Sequence, residues 1–312
     1  MKNLFSAAVL LLLAALFITS ASAQKPKSKE ETLNEIATLS KTTKPEDMAK
    51  AYEVAKDFLV RFGKDKDKDG NIAKVRDFVN GYREDKFFKA IDGKKYADAF
   101  TVGKEILAEQ PNDVAVMMSL AYAGYNISAT PEGKAYLDDA ISYARKSTGL
   151  VEAGTEPKSY APFKDKNEAM AFMYFIDGSL TLSKDMKAAA ASLYKATQIE
   201  ASIKNSSLPY YLIATYYEDL YGKMSADLKA KSKTLSDADF KAESDKVDKV
   251  VEAMMDAYAR AVKRAEAESS PNKTVWKNRL TQVYTFKNKS AAALPEYINY
   301  ANTMPMPDPG KF

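Results

Sequence analysis

The chain of 312 residues contains neither cysteine nor histidine. Without cysteine it can form no disulfide, no thiolate nucleophile and no cysteine-ligated zinc site. Without histidine it has no Ser-His-Asp triad, no imidazole general base and no histidine-rich metal site. Any catalysis would therefore depend on carboxylates, lysine, tyrosine, serine or a hard metal ion bound by oxygen.

Glycine and proline are also scarce, with 12 of each in the chain. Few helix breakers among many Ala, Lys, Glu, Leu and Met residues favour helix. No stretch alternates apolar and polar residues with the β-branched enrichment of a strand. The composition therefore predicts an all-α protein.

The charge balance gives no sign of a strongly charged partner. Lys and Arg number 46 and Asp and Glu 42, a formal net charge of +4. Nucleic-acid binding needs basic residues clustered on one face, whereas the charges here alternate in sign along the chain. This pattern is typical of solvated helix faces, and we expect no nucleic-acid partner.

The amino terminus has the pattern of a secretory signal peptide. An almost unbroken apolar run from Leu4 to Ile18 is followed by Ala21-Ser22-Ala23, the small-x-small pattern of a cleavage site. A membrane-spanning helix needs about 20 apolar residues, so this run is short for an anchor. We expect residues 1–23 to be removed, no transmembrane segment after cleavage, and a secreted or periplasmic mature chain.

The rest of the chain predicts successive helices. After a polar lead-in over 24–31, we predict a helix from Pro45 to Gly63 and others over 72–91, 96–108, 114–126, 136–147, 166–182, 185–201, 208–222, 237–267, 273–287 and 290–302. Glycine and proline concentrate in 148–165, which predicts a loop or insertion between helical blocks at 24–147 and 166–312. The tail over 305–312 is expected to be irregular.

Recurring spacings within these helices indicate repeats. One spacing links Ala99, Gly103, Ile106 and Pro111, and recurs in Ala293, Tyr297, Tyr300 and Pro305. A second links Leu120, Ala121 and Gly124, and recurs in Ile213, Ala214 and Tyr217 and in Leu280, Thr281 and Tyr284. These residues resemble the tetratricopeptide repeat (TPR), in which a large-x2-Leu-Gly/Ala-x2-Tyr helix is paired with an Ala-x3-aromatic-x2-Ala helix ending in proline.

The resemblance implies a right-handed α-solenoid of antiparallel helix pairs, in which stacked pairs bury each other's apolar faces. The sequence departs from the pattern at two places. Gly103 stands where an aromatic residue is usual, and Pro295 falls inside the last predicted second helix.

The resemblance also implies a concave groove lined by the first helix of each pair. Carrying the register over gives groove candidates that are mostly aromatic or weakly polar: Met118, Tyr122, Tyr125, Phe172, Phe175, Ser179, Tyr211, Thr215, Glu218, Asn278 and Gln282. Such a groove suits an apolar or extended peptide. We expect an exported TPR-like scaffold that binds a protein or peptide and is not an enzyme.

Three other functions remain open, one of them a purely structural envelope protein with no small ligand. A glycan-binding helical module would use tyrosine rings as stacking surfaces. A carboxylate-based glycoside hydrolase would need two facing acids, for which Glu218 and Asp219 are the candidates. Adjacent helix residues point in different directions, so this pair does not meet that need unaided.

One motif suggests a metal. Asp65, Asp67 and Asp69 alternate before Gly70, as in the first half of an EF-hand calcium loop. The bidentate glutamate that should end such a loop is replaced by Arg76, and interleaved lysines oppose a divalent cation. A solvated charged loop is favoured, with weak calcium binding as the alternative; we predict no other cofactor.

Overall fold

The computed structural model describes residues 26–42 and 44–312, and the protein is about 75% helical with no strand among them. The chain divides into two compact units, one comprising residues up to Asp85 and the other Lys86–Phe312. The helices of the described residues are α1 Lys29–Leu39, α2 Pro45–Phe62, α3 Asn71–Asp92, α4 Tyr96–Glu109, α5 Val114–Ile127, α6 Leu137–Glu152, α7 Lys166–Thr181, α8 Met186–Gln198, α9 Ser202–Asn205, α10 Leu208–Lys231, α11 Asp237–Ala267, α12 Lys273–Asn288 and α13 Leu294–Ala301.

The first unit begins earlier than the sequence predicts. Ser28 and Glu31 form a capping box, in which the Glu31 amide donates to Ser28 Oγ at 3.2 Å and the Ser28 amide donates to the Glu31 carboxylate at 2.7 Å. Helix α1 therefore starts inside the predicted polar lead-in. Its Ile36 packs with Tyr52 and Phe58 of α2 and with Val75 of α3 in a small apolar core.

The second unit is a succession of helix pairs. Packing joins α4 to α5, α5 to α6, α6 to α7, α7 to α8, α8 to α10, α10 to α11 and α11 to α12. Alternate helices also meet, α5 with α7 and α7 with α10. This confirms the all-α solenoid arrangement of antiparallel helix pairs, since each pair covers the apolar side of the next.

Small residues sit where two helices of this unit approach most closely. A Cβ added at Gly124 of α5 would lie 2.6 Å from the Ala140 Cβ of α6. A Cβ added at Gly178 of α7 would lie 2.6 Å from Leu193 Cγ and 2.8 Å from the Ala189 carbonyl of α8. The same holds at Gly103, where the expected aromatic residue is excluded because the Phe87 and Leu120 side chains already fill the space.

Several helix ends differ from those predicted. Helix α6 continues to Glu152, so the loop predicted over 148–165 begins at Ala153. Helix α8 ends at Gln198 and is followed by the single turn α9, while α13 starts only at Leu294 because Pro295 suits a first turn and not a helix interior.

Helix α10 is nine residues longer than predicted, and Gly222, where the predicted helix ended, lies within it. The distal parts of α10 and α11, over 218–231 and 237–249, contain no fully buried residue. The two helices pack on each other, and their distal parts form a helical hairpin at the edge of the core, against which Leu220, Tyr221 and Met224 still pack.

The tail predicted as irregular is held firmly against the second unit. Buried Arg260 donates through Nη2 to the main-chain oxygens of Ala301 at 2.6 Å and Met304 at 2.7 Å. Its Nε lies 2.6 Å from Asp256 Oδ1. Burial raises the pKa of Asp256, and Arg260 opposes that rise.

The last residues of the tail are held as well. Tyr217 Oη donates to the Pro307 carbonyl at 3.3 Å, and Lys187 Nζ donates to the Phe312 main-chain oxygen at 2.6 Å. A short 3-10 turn, Pro309–Lys311, packs on α8. The Arg260 bonds just before residue 305, the bonds at Pro307 and Phe312 and the packed turn thus fix a segment that has almost no regular structure of its own.

The predicted signal peptide over 1–23 lies outside the described residues. Across 26–42 and 44–312, no helix combines the length and the apolar character that crossing a membrane requires.

Candidate functional site

The surface lined by α5, α7, α10 and α12 holds the residues expected to form a groove. We call it the first-helix face, because these are the first helices of successive pairs in the second unit. Tyr125 of α5 meets Phe175 of α7, with ring centroids 5.4 Å apart. Tyr211 of α10 stacks on Trp276 of α12 at 4.5 Å and 16°. These ring pairs join α5 to α7 and α10 to α12, and α7 also packs on α10.

The predicted groove residues differ in their accessibility. Met118 and Phe175 are buried, at 0% and 4% exposure, so they belong to the core and not to a surface. Seven are half-buried, namely Tyr122, Tyr125, Phe172, Ser179, Tyr211, Thr215 and Glu218, and two are exposed, Asn278 and Gln282. Each half-buried aromatic ring packs on a neighbouring helix with one part and is accessible to solvent with the rest.

The helix-free segment 153–165 lies on this face at α5 and α7. Ser119 Oγ of α5 donates to the Ala161 carbonyl at 3.2 Å. Phe163 packs between two rings of the face, 5.7 Å from Tyr122 and 5.3 Å from Phe172. Sequence reasoning identified the segment but missed Phe163, since nothing in the repeat register predicts where an irregular segment will place an aromatic ring.

A cleft of about 610 Å³ borders this segment. Its apolar wall is formed by Tyr122, Phe163 and Phe172, and its polar wall includes Glu168 and Ser202. Glu168 accepts hydrogen bonds from the backbone amide and the hydroxyl of Ser202. The cleft therefore combines aromatic surface with main-chain and hydroxyl groups at the start of α9.

The open part of the face, on α10 and α12, pairs aromatic with polar groups. Trp276 is 5% exposed beneath the half-buried Tyr211 ring. Next to them, Arg279 Nε lies 2.5 Å from Glu218 Oε1, and Arg279 Nη1 donates to Gln282 Oε1 at 3.1 Å. The bond to Glu218 raises the pKa of Arg279, and burial raises the pKa of Tyr258, which also contacts Glu218.

The two acids considered for glycoside hydrolysis have separate cationic partners. Glu218 pairs with Arg279 of α12, and Asp219 pairs with Lys223 of its own helix at 2.6 Å. A retaining pair needs carboxyl groups about 5 Å apart on opposite sides of the scissile bond. The two carboxylates therefore contact cations on different helices, Glu218 on α12 and Asp219 on α10.

A second cleft, of about 1070 Å³, lies between α6 and α8 and was not foreseen. On its floor the buried Asp177 accepts from Arg145 Nε at 2.7 Å and from Ser192 Oγ at 2.5 Å. Thr181 Oγ1 donates to Asp177 Oδ1 at 3.2 Å and accepts from Arg145 Nη2 at 3.0 Å. Because these polar groups form hydrogen bonds with one another, we interpret the network as a structural link between α6, α7 and α8.

The aspartate motif caps a helix. Asp67 accepts hydrogen bonds from the amides of Ile72 at 3.0 Å and Ala73 at 2.9 Å, at the start of α3, and these bonds lower the pKa of its carboxyl. Asp65 lies 3.1 Å from Lys29 Nζ. In the part of the chain that the structure describes, no three acidic side chains are grouped to hold a metal ion; calcium binding by Asp65, Asp67 and Asp69 stays a prediction.

Comparison with known proteins gives no relative from which a role could be carried over. No family model, curated protein or solved structure matches the chain.

Proposed function

We propose that the chain is an exported TPR-like scaffold that binds an extended segment of a partner protein along the first-helix face. The export part rests on the amino-terminal pattern of apolar and small residues. The repeat part rests on the recurring spacings and on the close helix contacts at Gly124 and Gly178. The binding part rests on the face itself.

The observation that carries the binding proposal is the way the face holds segment 153–165. A hydroxyl of α5 donates to a main-chain carbonyl of the segment, and the rings of Tyr122 and Phe172 pack on its Phe163. Side-chain donors to peptide carbonyls and pockets for apolar side chains are the means by which proteins bind extended peptides. The face therefore accommodates helix-free polypeptide within this molecule.

The same kinds of group continue along the uncovered part of the face. Tyr211 presents a ring stacked on Trp276, and Gln282 and Asn278 are exposed amides of α12. Glu218 is neutralised by Arg279, so a partner need not carry a charge to match it. A segment with one or two aromatic or aliphatic side chains and free main-chain groups fits this chemistry.

Replacing Tyr211 with alanine should weaken partner binding about tenfold, because a supported aromatic ring at the centre of an interface typically contributes at least 1 kcal/mol. The matched control is Tyr300→Ala, which removes a 60% exposed tyrosine from α13. The measurement is quantitative recovery of proteins from the native source on each immobilised variant, followed by a titration of the recovered partner. Equal affinity of both variants for that partner, or no specific recovery by the unmodified chain, would rule the proposal out.

A further inference from the structure

The tail of the chain completes a pocket that is separate from the first-helix face. The pocket lies between α8, α10, α11 and the segment 305–312, and its volume is about 760 Å³. We call it the tail pocket. Its volume falls within the range of about 300–1,000 Å³ that is usual for small-molecule sites.

The inner surface of the tail pocket is apolar. Tyr194 of α8, Met224 of α10 and Val250 of α11 face Met306 and Phe312 of the tail. Val250 and Met306 are buried, and the other three are partly buried. Methionine side chains adapt to irregular apolar ligands, so two of them in one pocket suit a flexible hydrocarbon body.

The rim of the pocket carries excess positive charge. Three lysines, Lys246, Lys249 and Lys311, line it against a single acid, Asp308. Lys246 is paired with Glu243 at 2.6 Å, and Asp308 Oδ1 already accepts from the Gly310 amide at 2.8 Å. Neither Lys249 nor Lys311 forms an ion pair with any residue in the described part of the chain.

The pocket is shaped before any ligand arrives. The tail that forms one wall is fixed by the Arg260 bonds to two main-chain oxygens and by the Tyr217 and Lys187 bonds farther along. Binding to a preformed cavity costs less conformational entropy than binding to a pocket whose wall must first become ordered.

From the apolar interior and the two unpaired lysines at its rim, we infer that the tail pocket binds an amphipathic anion, with a hydrocarbon body inside and a carboxylate or phosphate group between Lys249 and Lys311. A free fatty acid and an anionic lipid share this chemistry. Moving the hydrocarbon from water into the pocket lowers its free energy, and the head group forms charge-assisted hydrogen bonds with the lysines.

The test is calorimetric titration of the full chain with dodecanoate below its critical micelle concentration. We expect saturable binding of one dodecanoate per chain, weakened about tenfold in Lys249→Gln/Lys311→Gln, because one lost charge-assisted contact corresponds to about that factor. The matched control, Lys229→Gln/Lys233→Gln, makes the same change in charge on the distal hairpin and should bind as the unmodified chain does. Uncharged dodecanol should bind the unmodified chain about as weakly as dodecanoate binds the first double variant.

Co-sedimentation with anionic and zwitterionic phospholipid vesicles separates the two sources of ligand. If the chain sediments with anionic vesicles and Lys249→Gln/Lys311→Gln does not, the ligand is an anionic lipid. If the chain binds dodecanoate but does not sediment with vesicles, the ligand is a free fatty acid. Absence of saturable dodecanoate binding, or equal affinity in the two double variants, would overturn the inference.

Discussion

Replacing Arg260 with methionine is expected to lower the free energy of unfolding of the second unit by about 3–5 kcal/mol. The substitution leaves the carboxylate of Asp256 buried without its cation and removes the donor to the carbonyls of Ala301 and Met304. The loss should be followed in urea by the fluorescence of Trp276, the only tryptophan of the chain, which is buried in this unit. A change below about 1 kcal/mol, typical of an exposed pair, would contradict the role assigned to Arg260.

Removing both charges provides the control for this variant. Asp256→Leu/Arg260→Met should be more stable than Arg260→Met alone, because no unpaired charge is then left in the core. It should remain less stable than the unmodified chain, since the two tail carbonyls still lack their donor.

The loss in Arg260→Met should also depend on pH. Burial raises the pKa of Asp256 in the folded chain, so the folded state holds that proton more tightly than the unfolded state does. Above the folded pKa the buried charge costs stability, and the cost disappears as the pH falls through that pKa. The difference between Arg260→Met and the unmodified chain should therefore shrink as the pH is lowered from neutral toward the ordinary pKa range of a carboxyl group.

Two glycine-to-alanine substitutions should change stability in opposite directions. Gly178→Ala should destabilise the second unit by about 1–3 kcal/mol, since the new methyl group would lie 2.8 Å from the Ala189 carbonyl, which cannot move aside cheaply. Gly149→Ala should stabilise it by about 0.5–1 kcal/mol, because its Cβ meets nothing within 4 Å and alanine favours helix. Urea midpoints of the two variants, measured together, give the comparison.

Equal effects of the two alanines would mean that α7 and α8 are not pressed together at Gly178. The close approach is the physical content of the repeat register, in which a small residue of one helix faces a small residue of the next. The comparison therefore tests the helix-pair packing directly and is independent of any ligand.

The helix pattern could be predicted from the sequence because periodicity, caps and breakers are local. Most helices begin within a residue or two of their predicted starts, for example α11 at Asp237, where Ser236 caps the first turn. One error concerns α10, which was predicted to end at Gly222. The helix continues through this residue and packs against α11.

The arrangement of the surface could not be predicted in the same way. The register predicted Tyr122 and Phe172 for one face, but it could not indicate that Phe163 of segment 153–165 would contact both rings. It also placed Met118 among the groove residues, although neighbouring helices bury it completely. The tail pocket depends on contacts between Lys187 or Arg260 and residues 41–125 positions away, and no local pattern encodes such contacts.

Site-specific crosslinking tests the central claim, that the first-helix face holds a partner segment, most directly. A photoreactive residue would replace Gln282, which lies on the face, or Lys277, which is exposed on the same helix but points about 140° away from Gln282. In the native source we expect one protein to be crosslinked from position 282 and not from 277, with the product lost when Tyr211→Ala is added. Equal crosslinking from both positions, or a product from 282 that persists in Tyr211→Ala, would contradict the claim.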